Sequence, residues 1–158
     1  MSAQHIYDTA PLGSLIRFSS QTPRPPERFA RKLRAWNNDN GIGRLVIRSS
    51  EHVGATYRSP ASFALHLGNY GSHGIIAIVV TRHYSVESPL HFEISELPQA
   101  GMVRVLTSFN GRDELRFLAP DMKSAEALLA SNHYADARLE VVGNSDPAVL
   151  PISIGRAA

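Results

Sequence analysis

The sequence predicts a single α+β domain: a twisted, largely antiparallel sheet of about seven or eight strands with two helices packed on it. Three observations carry that expectation. Short apolar runs with a period of two follow one another, separated by Gly, Pro, Asn and Ser. Helical spacing is confined to two distant stretches, around residues 26–38 and just after Asp121. Asn110-Gly111 stands between two alternating runs, the signature of a type I′ hairpin.

Residues 14–18 (SLIRF) form the first expected strand, with Leu15 and Ile16 apolar and Arg17 outward. Residues 21–26 carry three prolines in four positions, which fix an extended connector. Pro26 suits the first turn of a helix, where its missing N–H costs nothing. That helix is expected over about Pro26–Asn38, with Phe29, Leu33 and Trp36 as its core stripe and Gly41 as its stop. Residues 43–49 alternate, placing Leu45 and Ile47 on one side and Arg44, Val46 and Arg48 on the other. A loop at 50–60 and a strand at 62–67 follow, the latter with Phe63, Leu65 and Leu67 on one face.

GNYGSHG (68–74) is expected as a glycine-rich turn. The unbroken apolar run Ile75–Val80 after it is expected as a central strand covered on both faces by the two helices. Residues 90–95 point Leu90, Phe92 and Ile94 inward. After the Asn110-Gly111 hairpin, Asp121 caps a second helix that buries Ala125, Leu128 and Leu129, and a last strand lies near 137–142. The core is expected over about residues 12–143, with an irregular tail at 144–158.

Composition narrows the function. A chain of 158 residues is the size of one domain. With no cysteine it has no disulfide, zinc finger, iron–sulfur cluster or thiol nucleophile. No signal peptide is evident, and no apolar run is long enough to cross a bilayer, so a cytoplasmic protein with no membrane contact is expected. Residues 1–60 hold nine basic and four acidic side chains; residues 61–158 hold seven and ten. Such asymmetry suggests a polyanionic partner.

The basic residues concentrate in TPRPPERFARKLRAW (22–36), with five cations against one Glu. On a helical wheel Arg28, Arg31 and Lys32 oppose the apolar stripe, Arg34 flanks it and Arg24 precedes it. Glu27 pairs with Arg31 in this reading. Arg44 and Arg48 extend the patch if their strand neighbours the helix. Clustered cations of this kind neutralise phosphates without reading sequence. The same pattern also describes a plain solvated face.

A second constellation rests on a hairpin centred near Glu87. It would set His83 opposite His91 and Thr81 opposite Glu93, all on one face, with two imidazoles and a carboxylate suited to acid–base work or a metal. His66 falls outside it, because pairing 62–67 with 74–80 places His66 near Ile75. Asn69, Tyr70 and His73 form a third candidate, polar groups on the glycine-flanked turn. Gly41-Ile42-Gly43 follows a helix and opens a strand, the reverse of a dinucleotide fingerprint.

The expected function is therefore a small non-catalytic binding protein whose basic helix contacts nucleic acid or a nucleoprotein complex, with no metal or cofactor. One alternative is a regulator or inhibitor that meets an acidic protein surface or adds a strand to an edge. The other is an enzyme using the His83/His91/Glu93 face or the 68–74 turn. The sequence assigns no oligomeric state.

Overall fold

The computed structural model describes residues 1–143. Its elements are α1 (Ala3–Thr9), β1 (Leu15–Ser19), α2 (Ala30–Asp39), β2 (Gly41–Ser49), β3 (His52–Val53), β4 (Arg58–Ser59), β5 (Ser62–Ser72), β6 (Ile75–Ser85), β7 (His91–Glu96), β8 (Val103–Phe109), β9 (Arg112–Ala119), α3 (Met122–Ser131) and β10 (Ala137–Val141). Eight strands join one curled antiparallel sheet, and β3 pairs with β4 as a separate ribbon. The fold is a single-domain α+β fold, as the alternating runs predict. The expected tail at 144–158 lies outside the described residues.

The sheet is organised around β2. One edge of β2 pairs with β5 over Arg44–Ser49. The other edge is shared: β1 takes Gly41–Arg44, and β9 joins at Ile47 opposite Glu114. At the handover, Leu45 exchanges backbone hydrogen bonds with Gly13 and Ser14, each 2.8 Å. Beyond β1 lies β7, and beyond β9 lie β8 and β10.

Strict alternation in β2, expected from the sequence, is broken by a bulge. Leu45 faces Leu65 and Ile47 faces Ala64, so Val46 is the extra residue. The bulge reverses which side chains face which way. Leu45 joins a core with Phe18, Phe63, Tyr84 and Phe92, while Val46 and Ile47 join a second core with Ala64, Leu106 and Leu115. In the first core the rings meet at centroid distances of 5.2–5.8 Å, two of the pairs edge-on.

Helix α1, absent from the sequence reading, caps that aromatic core. Ala3, Ile6 and Ala10 are completely buried there, a stripe at i, i+3 and i+7. Ser2 accepts from the His5 amide at 3.2 Å, and Gln4 donates to Asp8 across one turn. Seven residues with alanine at two of three core positions give little periodic signal, which is why the expected core began only at residue 12.

Helix α2 corrects a second expectation. It starts at Ala30, four residues later than predicted, and buries no residue. Phe29 is an exposed cap residue; Leu33 and Trp36 are only half-buried. The Trp36 indole donates to the Thr22 carbonyl at 2.8 Å, tying the helix to the proline connector rather than to the core.

The stretch 68–80 corrects a third. Residues 68–72 are strand, and the turn is only His73-Gly74, both with positive φ (53° and 79°). Strand β6 pairs only with β5 among the described residues, so it is an edge rather than a central strand. Its apolar run has no helical cover: Ile75, Ile76, Ile78 and Val79 are all exposed. The outer halves of β5 and β6 therefore form a two-stranded arm. The predicted pairing of β6 with β7 is also absent. β7 pairs with β1, matching His91 to Ser19 and Glu93 to Arg17.

Gly41, expected as the left-handed stop of the first helix, instead opens β2 without positive φ, and the expected loop at 50–60 carries the β3–β4 ribbon. Several other expectations hold. Phe92 is buried, and Leu90 and Ile94 pack beside it. β8 and β9 form the hairpin through Asn110 and Gly111, at φ 50° and 73°. Asp121 Oδ1 accepts from the Ser124 amide at 2.7 Å, which holds its carboxyl below the usual range and caps α3. Ala125 is buried, with Leu128 and Leu129 packed against the same cluster.

Two glycines give contrasting expectations. Gly111→Val meets open space, so its cost is backbone strain at positive φ, on the order of 1 kcal/mol or more. Urea denaturation should show that loss as a lowered midpoint. Gly71 has ordinary φ, but an added Cβ would collide with the Ile75 carbonyl across the arm. Because the arm tip buries little, Gly71→Ala should release amide protection in residues 69–79 by hydrogen exchange and leave the global midpoint nearly unchanged.

Candidate functional site

The inner surface of the curled sheet holds a cavity of about 450 Å³ between the β5–β6 arm and the β8–β9 hairpin. Its apolar wall is Val46, Ile76, Val79, Leu115, Phe117 and Leu118; its polar groups are Arg44, His66, Asn69, Thr81, Glu114, Arg116 and Tyr134. Residues from β2, β5, β6 and β9, and from the segment before β10, converge there. The size and the mixture are those of a small-molecule site.

Register breaks make this convergence possible. Val46 is the extra residue of β2, Leu67 of β5, Ala77 of β6 and Arg116 of β9. Each bulge lets neighbours that would alternate share a face. Between the breaks at Leu67 and Ala77, Asn69 faces Val79; beyond them His66 faces Thr81 and Gly71 faces Ile76. All but Gly71 line the cavity. The break at Arg116 brings that guanidinium onto the same surface as Leu115.

The polar groups are held in place. His66 Nε2 lies 2.7 Å from Asn69 Oδ1 and donates to it. Arg116 donates from Nε to Thr107 and from Nη1 to Glu114, both at 2.9 Å, and its guanidinium carbon stands 5.9 Å from the Tyr134 ring centre. Arg44 Nη1 donates to the Gly13 carbonyl at 2.6 Å, and no carboxylate pairs with Arg44 among the described residues.

Of the basic residues singled out by sequence, Arg44 and Arg48 do not extend one patch. The Val46 bulge turns Arg44 into the cavity and Arg48 to the side of α1, where its Nη1 donates to the Tyr7 carbonyl at 3.1 Å. Burial lowers the Arg48 pKa from its usual range, against the pull of Tyr7. Arg48 lines a shallower polar cleft of about 650 Å³ with Arg112, whose Nη1 donates to Ser49. Arg104 Nε donates to Leu12 at 2.8 Å, so three sheet arginines hold carbonyls between residues 7 and 13. Around α2, Glu27 pairs with Arg24 at 3.7 Å rather than with Arg31. Arg28 and Lys32 flank the exposed Phe29 ring at 4.8 and 5.4 Å. Arg31 and Arg34 are exposed beside them.

The histidine constellation does not assemble in the predicted way. His83 faces Ala64 on β6, while His91 and Glu93 lie on β7, which β6 does not pair with. No group of three metal-ligating side chains occurs among the described residues. Of the turn candidates, Asn69 enters the cavity, Tyr70 is exposed on the arm, and His73 occupies the turn itself.

Sequence reasoning missed His66, Glu114, Arg116 and Tyr134, and set Thr81 opposite Glu93 rather than opposite His66. His66 was excluded by a register that treated 68–74 as one long turn. A two-residue His73-Gly74 turn would have set His66 opposite Thr81, the pairing found, because the bulges on the two strands cancel. Glu114 and Arg116 on β9, and Tyr134 before β10, become neighbours of His66 only when the sheet curls.

The fold and this site define a single-domain α+β protein with an amphipathic cavity on the inside of a curled sheet. The chain belongs to the family described as "Uncharacterised conserved protein UCP036055", which matches residues 1–146. No curated protein and no solved structure matches it. Among the described residues no helix is long and apolar enough to cross a membrane.

Proposed function

We propose that this protein is a non-catalytic binding protein that takes a small amphipathic molecule with an acidic head group into the cavity between the arm and the β8–β9 hairpin. The observation that carries this reading is the clustering of four register breaks around one cavity. A bulge interrupts a ladder and is kept where it re-aims side chains. In this reading the apolar body of the ligand lies against Val46, Val79 and Phe117. Its head group accepts from Arg44, whose charge has no carboxylate partner among the described residues. Arg116 is already engaged by Glu114 and serves as part of the wall.

Calorimetric titration with octanoate and with octanol tests the reading. Octanoate should bind at one site and more tightly than the alcohol. Arg44→Gln should weaken octanoate by roughly ten- to a hundredfold, the worth of a hydrogen bond to a charged group. It should leave octanol unchanged. Ile76→Trp, at an exposed position, should fill the cavity and abolish both. Absence of saturable binding, or equal binding by both variants, would sink the assignment.

A second reading is favoured by a separate observation: α2 buries nothing, and it and the turn before it display Arg28, Arg31, Lys32 and Arg34 without a carboxylate partner among the described residues. Such a surface suits a polyanion such as nucleic acid. Replacing Arg28 and Lys32 together by Glu should leave stability within about half a kcal/mol, since both are exposed. The double variant should weaken binding to a DNA or RNA duplex and flatten its salt dependence by about one unit per lost phosphate contact. Unchanged affinity and slope would make α2 a solvated face.

A further inference from the structure

The polar cleft beside α1 opens where β2 and β9 part. The two strands share one ladder position, Ile47 opposite Glu114. Beyond it, Tyr7 and Leu12 close one side and the Asn110-Gly111 turn the other, around about 650 Å³. None of the residues lining this cleft lines the cavity beside the arm. Arg48 and Arg112 both line it, and neither has a carboxylate partner among the described residues. Arg48 Nη1 donates to the Tyr7 carbonyl and Arg112 Nη1 to the Ser49 hydroxyl, each at 3.1 Å. The Nε and Nη2 groups of both remain without a partner among the described residues.

The carboxylates in the neighbourhood are engaged elsewhere. Asp113, on the cleft wall, accepts two bonds from Arg138 at 2.9 and 2.6 Å. Asp8, which acts on Arg48 at longer range, accepts from Gln4 at 3.0 and 3.1 Å. Arg48 is half-buried, and Arg104 adds a like charge behind it. A cation removed from water in this way favours an anion beside it. At the outer lip stands Phe109, 70% exposed and part of no core cluster.

We propose that this cleft binds the phosphate group of a small phosphate monoester, with the planar part of that ligand lying against Phe109. A phosphate monoester carries nearly two negative charges at neutral pH and three acceptor oxygens. It therefore answers both guanidinium groups at once, and guanidinium forks suit phosphate oxygens. A carboxylate brings one charge and leaves one cation unanswered. The volume is that of a small-molecule site. An exposed ring at the lip gives a planar group a face on which to stack. This inference depends neither on the cavity beside the arm nor on α2.

Calorimetric titration at physiological salt with adenosine monophosphate, adenosine, benzoate and inorganic phosphate tests it. The monophosphate should bind at one site, more tightly than adenosine or benzoate. Arg112→Gln, at an exposed position, should keep the urea midpoint and weaken the monophosphate at least tenfold. Lys123→Gln removes the same charge from an exposed position on α3, outside the cleft, and should change nothing. Phe109→Ala should weaken the monophosphate several-fold and leave inorganic phosphate unaffected. Absence of saturable monophosphate binding would overturn the proposal. So would equal binding of adenosine or benzoate, full affinity in Arg112→Gln or Phe109→Ala, or an equal loss in Lys123→Gln.

Discussion

Everything in this fold turns on how one edge of β2 is divided. A strand has two edges, and β2 serves three neighbours by giving β1 the first half of one edge and β9 the second. The handover leaves a short stretch, Gly13–Leu45, where two sub-sheets diverge. Arg44 and Arg104 donate to the carbonyls of Gly13 and Leu12 at that point, and Arg48 to Tyr7 just upstream. Buried backbone acceptors need partners, and these guanidinium groups supply them where the ladder cannot. Charges that read in the sequence as a surface patch are in this sense joinery. Arg104 is the deepest, nearly buried, donating to Leu12 and ion-paired to Glu140 at 2.8 Å.

The same division produces the two faces. With the Val46 bulge, three consecutive apolar residues can be buried without a helix on either side of β2 alone: Leu45 serves the aromatic core under α1, and Val46 and Ile47 serve the core beneath the β8–β9 hairpin. The curl that follows opens the cavity. Within the aromatic core the Tyr84 hydroxyl is buried with no partner in hydrogen-bond geometry among the described residues. Burial pushes its pKa up, against the pull of Arg82. That arrangement tolerates an unpaired polar group at a place where the ring itself packs against Phe18, Phe63 and Phe92.

Local chemistry was legible where local chemistry decides. Asn110-Gly111 demanded positive φ and got it; Asp121 had a free amide to accept from; the pattern at 90–94 faced one core. What the sequence could not carry was long-range choice. An apolar hexapeptide reads alike as a buried strand or an exposed edge, and only the neighbours of β6 distinguish the two. The stripe Phe29, Leu33, Trp36 has helical spacing whether or not a sheet receives it. α1 was hidden by brevity and by alanine. The cavity was hidden by bulges, each of which depends on the partner strand as much as on its own residues. Only the pairing of His66 with Thr81 lay within reach, through a shorter turn.

The burial of α1 has a consequence for the order of assembly. Its apolar stripe is covered partly by β7, and the Met1 carbonyl accepts from the Phe92 amide across some ninety residues of chain. β1 likewise waits for β7 on its outer edge. The aromatic core therefore cannot close on the ribosome until the chain has emerged well past residue 96, and sequence separations of this kind slow folding. In that interval the run Ile75–Val80 is already out and already able to pair with strands of other nascent chains. That run is exposed in the finished protein and throughout the interval before the core closes, so crowding and temperature during synthesis bear on the yield of this fold.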